Sequence, residues 1–93
     1  MLAGLGDLEQ KLGRHEEARR AYTDARVLYR AEQSHLGEAT VLRGLGHLES
    51  QNNPDVARQY LYLSAGLYEA IDMKAMSDLA RKEAHALTQE QPF

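Results

Sequence analysis

Apolar residues recur along this chain at gaps of three and four, the spacing of one face of an α-helix. Leu2, Leu5, Leu8 and Leu12 predict a first helix over about 2–12, ended by Gly13. A second helix begins near His15 or Glu16, with Glu16 and Glu17 placed where the macrodipole favours acids. Its stripe is Ala18, Ala21, Tyr22, Ala25, Leu28 and Tyr29. Arg19, Arg20, Asp24 and Arg26 fall outside that stripe and are expected in solvent, with Arg20 and Asp24 spaced to pair. The pattern breaks at "AEQSH", where Ser34 suits an N-cap. A third helix then reaches about Gln51 on Leu36, Ala39, Leu42, Leu45 and Leu48. "QNNPD" is the next boundary: Asn53 can cap, Pro54 fits the first helical position, and Asp55 favours the N-terminal end. The fourth helix, to about Ile71, buries Ala57, Tyr60, Leu61, Ser64, Leu67 and Tyr68. After "IDM" a fifth, over about 74–89, carries Met76, Leu79, Ala80, Ala84 and Leu87. The tail "QEQPF" is expected to fray. There is no sustained period-2 alternation, so no sheet is expected, and the short links imply antiparallel neighbours.

The same text occurs twice. Leu5-Gly6, Leu8 and Glu9 return forty residues later as Leu45-Gly46, Leu48 and Glu49. After the inter-helix turn the offset is thirty-nine: Ala18-Arg19 maps to Ala57-Arg58, Ala25 to Ser64, Leu28 to Leu67 and Tyr29 to Tyr68. A self-repeat of about forty residues marks a helical array. Leu5-Gly6, Gly13, Ala18, Tyr22 and Ala25 together resemble the tetratricopeptide repeat, with Leu-Gly on the first helix, Gly in the turn, and Ala, aromatic, Ala on the second. The second copy keeps Leu45-Gly46 and Ala57, but has Asn53 for the turn Gly, Leu61 for the aromatic and Ser64 for the later Ala. The terminal proline is missing from both copies, and the period exceeds the usual ~34 residues, as in longer variants of the family.

The resemblance implies an all-α, antiparallel helix-hairpin solenoid of about two and a half repeats and five helices. Its units would be 1–33, 34–72 and a capping helix at 73–90, all in a single domain. Small residues at Gly6, Ala18, Ala25, Gly46 and Ala57 let helices approach, and Tyr22 and Leu61 fill the gaps between repeats. The first helix of each pair would line a concave face that takes a protein or peptide segment. On this chain that face would hold Ala3, Asp7, Gln10 and Lys11 from the first copy, and Thr40, Arg43, His47, Ser50 and Gln51 from the second. The family's best-known groove clamps a terminal carboxylate with asparagines and lysines. Asp7, His47 and Ala3 occupy those positions here, so that clamp is missing, although Arg43 and Lys11 can still pair with acidic side chains. The opening helix is a turn shorter than the third and lacks a polar cap. Either the chain is a piece of a longer array or regulator, or that end packs on another copy through Leu2, Leu5 and Tyr22.

Composition narrows the classes. The 93 residues include no cysteine, which removes disulfides and thiol chemistry and fits a reducing cytoplasm. A net charge of −3 gives no general attraction to nucleic acid or anionic lipid, and no apolar run is long enough to span a membrane. His15, His35, His47 and His85 form no H-E-x-x-H or i, i+4 pair, so no metal site is expected. The "GLG" strings at 4–6 and 44–46 follow no strand and precede no P-loop lysine; they read as packing glycines. The expectation is a scaffold that binds a protein or peptide, with no catalytic residue and no cofactor, and self-association as the alternative.

Overall fold

The computed structural model describes residues 14–89, and within them there are four α-helices and no strand. They are α1 (His15–Ala31), α2 (His35–Glu49), α3 (Pro54–Ala70) and α4 (Lys74–Gln89). These correspond to the second to fifth helices expected from the sequence; the helix expected over 2–12 lies outside the described residues. Each helix packs on its neighbours in the chain, α1 on α2, α2 on α3, and α3 on α4.

The boundaries have local causes. Ser34 caps α2, its hydroxyl accepting from the Gly37 N–H at 3.1 Å. Pro54 opens α3 at a position where a missing N–H costs nothing. Asn53 stands before it but its side chain makes no capping hydrogen bond, contrary to expectation. α2 also ends at Glu49, two residues early, because Asn52 and Asn53 favour turns over continued helix.

The links after α1 and α3 are alike. Gln33 and Asp72 have φ of 59° and 64°. Ser34 N–H donates to the Tyr29 carbonyl, and Met73 N–H to the Tyr68 carbonyl, each at 2.8 Å. Gln33 and Asp72 likewise donate to the Arg30 and Glu69 carbonyls, each at 3.0 Å. Both turns are therefore Schellman ends with a left-handed residue, a place that favours glycine. Gln33→Gly is expected to raise stability by about 0.5–1 kcal/mol, read by urea unfolding. Asp72→Gly should gain less, since Asp tolerates this conformation better.

α2 is the centre of the core. Ala39, Val41, Leu42, Leu45, Gly46, Leu48 and Glu49 are all buried, covering more than one face, because α1 and α3 both pack on it. Val41 was outside the expected stripe. Tyr22 from α1 is 2 % exposed and joins Ala18, Ala25 and the α2 leucines in one cluster. A Cβ on Gly44 would stand 2.6 Å from its ring, so the ring sits directly on the α2 backbone. Leu61 from α3 sits in the same manner on Gly46, and clusters with Ala57, Ala84 and Leu87 to join α3 to α4. Ser64, fully buried, donates its hydroxyl hydrogen to the Ala39 carbonyl at 2.7 Å and ties α3 to α2. The packing-glycine reading of the second "GLG" agrees with these contacts.

Other expectations fail on particular residues. Leu28, Leu36 and Leu79 share their stripes' periodicity but are largely exposed. Arg19 and Arg26, expected in solvent, reach across to α2. Arg19 Nε donates to Glu49 at 2.7 Å and Arg26 Nε to Glu38 at 3.4 Å. Arg19 also pairs with Glu16 on its own helix.

Candidate functional site

α2 turns one line of side chains away from the core: Leu36, Thr40, Arg43 and His47, spaced four, three and four. Thirty-nine residues on, the offset that superposes the two Schellman turns, α4 carries Ala75, Leu79, Lys82 and Ala86 at the same spacing, all exposed. This fixes the register of α4 against α2. Leu36 is 49 % exposed and Leu79 38 %, so each line mixes apolar and cationic groups.

The two helices are joined through Glu83. Arg43 Nε donates to Glu83 Oε1 at 2.9 Å and Arg43 Nη2 to Oε2 at 2.8 Å, a fork on a carboxylate. His47 Nε2 lies 3.2 Å from the same Oε1. The hydrogen bonds from Arg43 hold the Glu83 carboxyl below its ordinary value of 4.5; burial opposes this, and His47 adds to it. The same pair raises the Arg43 guanidinium further. On the far side of α4, Arg81 donates to Glu69 at 2.6 Å, tying α4 to α3, and to the buried Ser77 one turn earlier on α4 at 2.8 Å.

The Glu83 contact has a pH signature. A carboxyl lowered in the folded chain binds a proton more readily when unfolded, so the stabilisation is full above the ordinary carboxylate range. It falls as pH drops through that range toward the lowered value. Urea midpoints measured from pH 7 to pH 3 should therefore decline in acid, and less steeply for Glu83→Gln.

The expected groove residues divide. Asp7, Gln10, Lys11 and Ala3 lie outside the described residues, as do Leu2 and Leu5. Thr40 is exposed, but its hydroxyl donates to the Leu36 carbonyl at 2.9 Å and lies 3.3 Å from the Tyr68 hydroxyl. Arg43 is occupied by Glu83, where an open cation was expected. His47 is on the face. Ser50 donates to the His47 carbonyl at 2.8 Å and closes the helix end, while Gln51 sits exposed in the following turn. Tyr22, expected on a self-association surface, is in the core and presents no ring to a second copy. Sequence reasoning missed Leu36, Leu79, Lys82 and Glu83 as face residues. The thirty-nine-residue offset, carried past Ile71, would have found the α4 line.

Among the described residues no cluster of three His, Asp or Glu side chains could hold a metal ion. No helix among them is long and apolar enough to cross a membrane. Successive helices, seated on glycines and repeating their turns and outward lines at one offset, define a helical-repeat protein. The sequence profile of the tetratricopeptide repeat matches residues 1–70, and the chain belongs to that family. Comparison with curated proteins and with solved structures gives no match.

Proposed function

We propose that the chain is a protein-interaction scaffold whose α2/α4 face, the inner side of a solenoid, binds an extended or helical segment of a partner protein. The observation that supports this is the pair of outward lines, Leu36-Thr40-Arg43-His47, exposed except at the half-buried Arg43, and the exposed Ala75-Leu79-Lys82-Ala86, which hold apolar and cationic groups in matching register. In this reading the repeat units are those expected from the sequence, 1–33 and 34–72; the α2–α3 hairpin cannot bury its faces alone, and α4 extends the same surface. The reading involves no catalysis and no cofactor, and a cysteine-free chain suits the cytoplasm. Self-association is the weaker reading, because the burial of Tyr22 removes one of its three contacts.

The test is selection of a displayed peptide library on the intact chain. Selected peptides are expected to lose at least about tenfold in affinity for Leu79→Glu and His47→Glu, a change worth about 1.4 kcal/mol. They should keep their affinity for Val27→Ser, on the exposed side of α1. Equal loss at Val27, or no loss at Leu79 and His47, would move the site elsewhere.

A further inference from the structure

The acidic link between α2 and α4 indicates what kind of segment this face accepts; the inference rests on the reading above and deepens it. Arg43 grips the Glu83 carboxylate with two N–H groups at 2.9 and 2.8 Å, and His47 Nε2 stands 3.2 Å from the nearer oxygen. A planar guanidinium gripping both oxygens of a carboxylate is how arginine recognises an acidic side chain in a partner. Two other inter-helix pairs of the chain have deeper carboxylates. The Glu49 and Glu38 side chains are 10 % and 12 % exposed, between α1 and α2, whereas Glu83 is 26 % exposed beside the solvent line. One carboxylate can exchange for another on the same guanidinium with the two-pronged contact conserved, so the exchange itself costs little free energy. Leu36 and Leu79 offer apolar contact on either helix, and Lys82 adds a cation to the exposed line.

We propose that Glu83 is a resident occupant of a carboxylate receptor made by Arg43 and His47. The face takes a partner segment that carries aspartate or glutamate among apolar side chains. The incoming carboxylate displaces Glu83, which turns to water, while the segment's apolar groups cover Leu36 and Leu79. Glu83 thus acts as a built-in competitor that sets a threshold: a segment with acid alone only replaces an existing contact, and one with both acid and apolar groups adds to it.

The probe is a synthetic twelve-residue peptide alternating leucine and glutamate, with its glutamine counterpart as control, followed by fluorescence anisotropy at low salt. The acidic peptide is expected to bind the native chain, and Glu83→Gln to tighten it by about fivefold or more, the scale of one exposed ion pair. Adding Arg43→Gln to that variant should remove the gain. Glu69→Gln makes the same charge change on α3, where its carboxylate pairs with Arg81, and should leave affinity unchanged. Circular dichroism melts confirm that each variant is folded, and Glu83→Asp, too short for the same fork, should fall between the native chain and Glu83→Gln. Equal binding of acidic and glutamine peptides, no tightening in Glu83→Gln, or equal tightening in Glu69→Gln overturns the proposal. Library peptides that bind the α2/α4 face without acidic residues would overturn it while leaving the face itself as the binding surface.

Discussion

Tyr22→Ala is expected to lower stability by about 3–5 kcal/mol, a large fraction of what a chain of this size has. The ring is buried in the main cluster with Ala18, Ala25, Val41, Leu42, Leu45 and Leu48, and it rests on the Gly44 backbone. Those neighbours are held in two helices and cannot collapse into the space that the ring would leave. The cost therefore includes a cavity as well as the lost burial. Tyr22→Phe keeps the ring and should cost less than about 1.5 kcal/mol, the scale of one hydrogen bond. Urea unfolding by circular dichroism separates the two. A cost for Tyr22→Ala below about 1 kcal/mol would mean that α1 is not held to α2 through this residue.

Gly46→Ala and Gly66→Ala are expected to move stability in opposite directions. Both glycines lie inside helices, so each replacement gains about 1 kcal/mol of helix propensity. At Gly66 nothing lies within 4 Å of the new Cβ, and the gain is kept. At Gly46 the Cβ would stand 2.7 Å from Leu61 Cγ and 3.3 Å from the Ala57 carbonyl oxygen. Leu61 is itself buried against Ala84 and Leu87 and has nowhere to move, so overpacking of about 1–3 kcal/mol outweighs the propensity. Because the propensity term is common to both sites, the difference between the two variants isolates the close approach of α3 to α2. Equal stabilisation at both would show that this approach is loose.

These glycines illustrate what the sequence discloses. Gly46 was legible as a packing residue because the repeat returned it with Leu45 and Leu48. Ser34 and Pro54 marked helix starts because their chemistry acts within one turn. The left-handed residues were not legible, since Gln33 and Asp72 stand where a glycine would have announced the turn. Periodicity misled at Leu28, Leu36 and Leu79: it finds a stripe, but the number of neighbours decides how wide the buried part is. It failed the other way at Val41, buried because α2 is packed by α1 and α3 together. For the site, residue type placed Arg43 and His47 on an outward line, but their engagement with Glu83 joins residues forty and thirty-six apart and depends on how helices are set side by side. No single helix carries that information.

The position of α2 also governs how the chain opens. Its backbone is shielded by α1 and α3, and the Ser64 hydroxyl clasps it at Ala39. The free energy of exposing an amide to solvent rises with such enclosure. Protons on the α2 amides from Ala39 to Leu48 should thus exchange last, only when the whole chain unfolds. Those of α4, packed on the single neighbour α3 and braced to α2 by Glu83, should exchange through a smaller opening. A partner that takes the place of Glu83 would at first loosen that brace, so binding and the opening of α4 draw on the same contact.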